Sequence, residues 1–89
     1  MHEFRTSKHF ERLLKTLSKK DKQLYVQLLD KMQSIVHQES LDHYKHLRHA
    51  LKPYKRVHVG SFVLLFRYND NCIYFEDFAH HDVIYKRKR

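Results

Sequence analysis

Tyr54-Lys55-Arg56-Val57-His58-Val59-Gly60-Ser61-Phe62-Val63-Leu64-Leu65-Phe66 is the stretch that decides how this chain folds. Val57 and Val59 alternate with Arg56 and His58, the period-two pattern of a strand with one apolar and one polar face. Gly60-Ser61 fits a two-residue turn in which the glycine supplies a positive φ. Phe62–Phe66 is apolar on both faces, which predicts a central strand. Asn69-Asp70-Asn71 marks a second turn, and Cys72–Phe78 reads as a third strand. The unit predicted is an antiparallel meander of Tyr54–Val59, Phe62–Tyr68 and Cys72–Phe78.

Upstream, the period changes from two to that of a helix. Phe10, Leu13, Leu14 and Leu17 share one helical face, and Ser18-Lys19-Lys20-Asp21 matches a capping box for a second helix. In that helix Leu24, Leu28, Met32, Ile35 and Val36 form a stripe that ends near His37. Leu41–Lys52 is a polar connector whose Leu47 and Leu51 are expected to tuck under the helices, and Pro53 closes it. Met1–Thr6, with Phe4 as its apolar anchor, is a candidate edge strand. The fold class is therefore α+β: a short N-terminal strand and a helical hairpin packed on an antiparallel sheet of three to four strands, whose other face is polar and basic.

Composition narrows the function. Eighty-nine residues, 42% of them hydrophobic, make one small domain, and a single glycine and a single proline leave little room for linkers. A net charge of +8, with nine histidines in addition, calls for a polyanionic or acidic partner. The lone Cys72 excludes an internal disulfide and fits a reducing, cytoplasmic setting, and no apolar run is long enough for a membrane span.

Candidate chemistry concentrates after Pro53. Arg56 and His58 lie two apart on a strand and project the same way, and His80, His81 and Tyr85 follow the last strand. Metal-free RNA cleavage needs a base for the ribose 2′-hydroxyl, an acid for the leaving 5′-oxygen and positive charge beside the phosphorane. Histidines supply the first two near neutral pH, arginine the third, and a tyrosine can stack on a splayed base. Strand register decides which of His80 and His81 faces such a site. Asp77 and Asp82 are the nearby acids that can orient a histidine. Arg67 is a secondary phosphate-binding candidate, and Lys86–Arg89 forms a basic tail, with Lys86 and Arg87 contributing general attraction to RNA. His43, His46 and His49 have helical spacing, but no cysteine accompanies them, so a solvated basic face is the preferred reading. No metal and no cofactor is assigned.

These residues resemble a known family. Leu47, the run from Leu51 through Lys52 to Val59, the segment Phe62–Arg67 and the ending His80-His81-Asp82-Val83-Ile84-Tyr85 are similar to the RelE/ParE superfamily of toxins from type II toxin–antitoxin systems, above all its archaeal RelE and YafQ-like branches. The resemblance implies one RelE-like toxin domain over residues 1–89, with 86–89 as its tail. It implies a ribosome-dependent mRNA endoribonuclease that cleaves in the ribosomal A site. Its partners would be the ribosome, mRNA and a RelB-like antitoxin, with a toxin–antitoxin heterotetramer as one assembly. By position His58, His81 and Tyr85 match the family's site histidines and terminal aromatic. Lys55 sits where basic residues occur in the first meander strand, beside Arg56, with Lys52 just before it. Val63 stands where some members carry an arginine. The competing readings are a ParE-like inhibitor of DNA gyrase without nuclease chemistry, and a non-catalytic RNA- or ribosome-binding module.

Overall fold

A computed structural model describes residues 2–39 and 54–87. The connector with Leu47 and Leu51, together with Lys52, His43, His46 and His49, lies outside the described residues. The elements run β1 (Glu3–Thr6), α1 (Lys8–Lys20), α2 (Lys22–His37), β2 (Lys55–Val59), β3 (Phe62–Asn69), β4 (Cys72–His80) and α3 (His81–Arg87). Among the described residues no helix is long and apolar enough to cross a membrane.

Local capping sets the helical hairpin. Ser7 is extended and its hydroxyl accepts the Phe10 N–H at 3.0 Å, which starts α1. The second start differs from the Ser18 expectation. Ser18 stays inside α1 and its hydroxyl donates back to the Lys15 carbonyl at 2.7 Å. Asp21 is the junction: its N–H bonds the Leu17 carbonyl at 2.9 Å, and its carboxylate accepts the Leu24 N–H at 3.1 Å. An N-cap must leave helical φ/ψ, and Asp21 does so at φ −150° and ψ 83°. One aspartate thus ends one helix and begins the next.

The sheet has the order β1-β4-β3-β2. Both meander turns form where expected, with Gly60 at φ 61° and with Asp70 and Asn71 at φ 51° and 62°. β2 pairs antiparallel with β3, and β3 with β4. β1 pairs with β4 in parallel, Glu3 opposite Cys72 through Thr6 opposite Phe75, so the sheet is mixed rather than wholly antiparallel. These two strands are connected through both helices and the whole meander, so no tight turn forces them to run in opposite directions. Within β4, Glu76 is an extra residue: Phe66 faces Phe75 while Leu65 faces Asp77. This bulge resets the alternation, so that Phe75 and Phe78, three apart, both reach the helical side.

Two apolar clusters hold the layers together. The larger joins Phe10, Leu28, Met32, Ile35 and Val36 of the helices to Leu64, Phe66, Ile73, Phe75 and Phe78 of the sheet. The smaller lies on the opposite face, where Val63 and Leu65 are sealed by Ile84 and flanked by Tyr54, Ala79 and Tyr85. That face was expected to be polar and basic, and its centre is neither. A central strand apolar on both sides needs cover on both sides, and α3 supplies the second cover. Lys86 and Arg87 accordingly belong to the last turn of a packed helix, not to a loose tail.

Ile84 is fully buried. Ile84→Ala is expected to lower stability by about 2–5 kcal/mol, the usual range for removing a buried isoleucine side chain. A urea melt followed by far-UV circular dichroism measures it, and a loss below about 0.5 kcal/mol, the range of ordinary surface substitutions, would show that α3 is not a structural cover.

Candidate functional site

The second face of the sheet gathers most of the chemistry-bearing residues. Arg56 and His58 project from β2 on the side away from α1 and α2, because Val57 and Val59 occupy the other side in the main core. α3 then crosses beside them. Ile84 anchors it on Val63 and Leu65, and this places Tyr85 against Arg56, whose Nη1 donates a hydrogen bond to the phenol oxygen. The guanidinium carbon also lies 6.0 Å from the centre of the Tyr85 ring. Tyr85 therefore has two contacts: its half-buried ring packs on the smaller core and its hydroxyl fixes the arginine. Since that hydroxyl is not a carboxylate, Arg56 is held without an opposing charge on this partner.

His81 and Tyr85 are four residues apart on α3 and so share a face of it. The backbone N–H of His81 donates to the Ser61 carbonyl at 3.1 Å, which ties the start of α3 to the first meander turn. The rings of His80 and His81 stack with centres 4.5 Å apart and planes 30° from parallel. Asp82 serves both: its carboxylate lies 2.9 Å from Nδ1 of His81 and 3.7 Å from Nδ1 of His80. His80 also meets the edge of Phe62 at 5.8 Å and borders a groove of about 510 Å³ that runs along α1 past His9, Arg12 and Leu17. Both histidines are therefore accessible at the strand–helix junction, His80 toward α1 and His81 at the head of α3.

His58 stands slightly apart. It is opposite Val63, which in turn is opposite Ala79, so two strand spacings, about 10 Å, separate it from the strand that leads into the histidine pair. It is exposed, and because β2 is an edge strand this part of it, His58 with Val59 and Gly60, also borders an open cleft of about 470 Å³ against Gln27, Asp30, Lys31 and Ser34 of α2. The structure thus joins Arg56 to Tyr85 and His80 to His81, with His58 on the same strand face as Arg56.

Two expected phosphate contacts are placed differently. Lys55 alternates with Arg56, which puts it on the side of Val57 and Val59, and it is only 8% exposed. Arg67 already has an anion: its Nε and Nη2 both donate to Oε1 of Glu76, at 3.0 and 2.8 Å, and its guanidinium lies 4.9 Å from the Tyr74 ring centre. The hydrogen bond to Glu76 holds the Arg67 guanidinium above its ordinary range. Lys86 is exposed near the end of α3, and Arg87 closes that helix.

Sequence reasoning missed a further histidine pair. Asp77 is almost fully buried, accepts the Phe78 N–H at 2.9 Å and lies 2.9 Å from Nε2 of His9 at the start of α1. The signal was an aspartate inside an apolar strand, which needs a polar partner when it is buried. The partner sits sixty-eight residues away, and no local pattern points to it.

Known proteins share this fold. The YafQ structure from Escherichia coli matches with a TM-score of 0.74 at 20% identity, covering 96% of this chain and 99% of that one. The toxin–antitoxin complex RelBE2 from Mycobacterium tuberculosis matches with a TM-score of 0.73 at 20% identity, over 89% of this chain and 96% of that one. The fold is thus that of the RelE/YafQ-like toxins. In sequence, the chain is 42% identical over 92 aligned positions to the Methanocaldococcus jannaschii protein named "Putative toxin RelE4", covering all of this chain and 96% of that protein. The chain belongs to the RelE toxin family. No protein-family model matches it.

The charge pairing separates the cations open to an incoming polyanion, for which single-stranded RNA is the probe, from those already neutralised. Lys86→Gln is expected to flatten the log–log salt dependence of single-stranded RNA binding by about 0.7, one phosphate contact. Arg67→Gln should leave the slope nearly unchanged because Glu76 already neutralises it. Fluorescence anisotropy across a salt series checks both, and a larger loss from Arg67→Gln would reverse the assignment.

Proposed function

We propose that this toxin is a ribosome-dependent mRNA endoribonuclease that acts in the A site and stops translation. The observation that carries the reading is the placement of α3, which sets His81 and Tyr85 beside the strand face bearing Arg56 and His58. Membership of the RelE family supports it. In the proposed reaction one histidine accepts the 2′-hydroxyl proton as that oxygen attacks the adjacent phosphorus. The 5′-oxygen leaves with a proton from a second acid, and a 2′,3′-cyclic phosphate remains.

Arg56, fixed by Tyr85, places its positive charge beside the phosphorane, where the developing negative charge is largest. His81 and His58 are the acid–base pair in this scheme, and His80 supports His81 by stacking. Tyr85 acts as the positioning group for Arg56, and the accessible part of its half-buried ring remains available to a base. Lys86 and Arg87 add attraction to the phosphate backbone. Cleavage needs no metal in this scheme. The partners proposed are the ribosome with its mRNA and a RelB-type antitoxin, assembling as a heterotetramer. The RelBE2 complex, a toxin with its antitoxin in the same fold, supports the antitoxin.

Primer extension on a reporter mRNA in a translating extract tests the reading. Wild type should give new cuts in register with codons, and only with ribosomes present. His81→Ala should reduce them by more than about 10²-fold, the scale of a general acid–base group. Tyr85→Phe, which keeps the ring and removes the acceptor for Arg56, should lower cleavage by about tenfold or more, as loss of a hydrogen bond to a charged group does. Growth arrest without cuts would instead favour a gyrase-directed toxin, to be followed by a supercoiling assay.

A further inference from the structure

We infer that His80, His81 and Asp82 form a transition-metal site, and that a bound Zn²⁺ silences the toxin by occupying the histidine pair. The silencing half rests on the ribonuclease reading above; the metal site does not. Among the described residues these three side chains form the group whose histidine nitrogens and carboxylate oxygen come together for a metal ion, with one ligand atom from each lying within 4.8 Å of the others.

The geometry is close to what a metal requires. Zn–N and Zn–O bonds of about 2.0–2.2 Å at tetrahedral angles put neighbouring donor atoms roughly 3.3 Å apart. Nδ1 of His81 lies 2.9 Å from Oδ1 of Asp82 and Nδ1 of His80 lies 3.7 Å from Oδ2, so both imidazoles already stand beside the carboxylate at about that spacing, one against each oxygen. Only the wider separations have to close, and both imidazoles are accessible enough to turn, with side chains 41% and 46% exposed. The Asp82 N–H donates to Nδ1 of His80 at 3.3 Å, so that nitrogen is an unprotonated acceptor, and a metal binding through it would replace this long hydrogen bond.

The junction is held in place from outside. His81 is bonded through its N–H to Ser61, and His80 is propped on the edge of Phe62. Consecutive residues at a strand–helix corner, with stacked rings, therefore present three donors to one point without a loop having to order itself. Two imidazoles and one carboxylate suit Zn²⁺, Co²⁺ or Ni²⁺, whereas Mg²⁺ and Ca²⁺ prefer oxygen donors. Three protein ligands leave a fourth position for water. A nitrogen that binds a metal cannot carry a proton, so the metal would remove His81 from acid–base work.

The test uses the purified, metal-stripped full chain. Titration with CoCl₂ should give a visible d–d absorption that saturates at one equivalent. Titration with ZnCl₂, followed by imidazole ¹H–¹⁵N NMR, should move the His80 and His81 rings together. His80→Ala and Asp82→Ala should each weaken binding by at least about tenfold, since even outer-shell partners of metal ligands cost that much. The triple variant His43→Ala/His46→Ala/His49→Ala should bind as wild type does. Binding that survives Asp82→Ala and His80→Ala, or that is lost in the triple variant, overturns the site. Asp82 is 70% exposed, so its variant keeps the fold, and its NMR spectrum checks this directly.

The second arm adds ZnCl₂ to the primer-extension assay, each variant being compared with its own metal-free rate. Wild type should lose at least about tenfold in cleavage, and Asp82→Ala should lose little. Metal binding with undiminished wild-type cleavage would overturn the silencing half. Absence of cleavage in the metal-free wild type would count against the ribonuclease reading and its silencing, while the NMR titration still decides the metal site.

Discussion

The structure depends on one constraint: Val63, Leu64, Leu65 and Phe66 are four consecutive fully buried residues in a single strand. Alternation sends two of them to each side, so neither face of β3 can be left to water. The helical hairpin answers for Leu64 and Phe66, and α3 answers for Val63 and Leu65. The second answer matters for function. A seven-residue helix carrying one fully buried side chain, Ile84, has little stability of its own. It is held where β3 needs it, and this is what brings Tyr85 to Arg56 and His81 to the first meander turn. The apolar demand of the central strand and the geometry of the polar site are the same fact seen from two sides.

Charge is distributed with similar economy. Two arginines on the second face have different partners. Arg67 makes two bonds to one carboxylate oxygen of Glu76 and is neutralised within the sheet. Arg56 is oriented by a hydroxyl, which fixes direction and leaves its charge to act on an incoming anion. Glu76 is available to Arg67 because it lies two residues beyond Tyr74, the cross-strand partner of Arg67, and so is its diagonal neighbour on one face of the sheet. That diagonal pairing is what separates the two arginines, one neutralised within the sheet and one held by a hydroxyl.

The meander was legible because its signals are local. Alternation in β2, the two turns and the two-sided apolarity of β3 each lie within a few residues, and the helix boundaries erred only at the Ser18–Asp21 junction, where two capping residues competed. Three features were not legible. The parallel pairing of β1 has no turn to announce it. α3 offers too short an apolar pattern, although the exposed second side of β3 was a reason to look for a cover. The bulge at Glu76 shows only as aromatic residues spaced by three in a strand. Among the candidate residues, the shared strand face of Arg56 and His58 was readable from alternation, and the gathering of His80, His81 and Tyr85 after the apolar part of the last strand from their order. The burial of Lys55 followed from the same alternation that exposes Arg56, and the buried Asp77 required knowing that α1 begins beside β4.

The parallel pair formed by β1 and β4 also sets an order of events during synthesis. β1 precedes its partner β4 by both helices and two strands of the meander, so it waits until all of these have been made before its neighbour exists. Contacts this distant in sequence form late, after local helices and hairpins. A nascent chain can assemble its helical hairpin while β1 remains unpaired and β3 still has one bare side. At that stage Arg56 and His58 exist without Tyr85 or His81. The polar face gains His81 and Tyr85 only once α3 follows β4, so a chain with its hairpin already formed still lacks the contact between Arg56 and Tyr85.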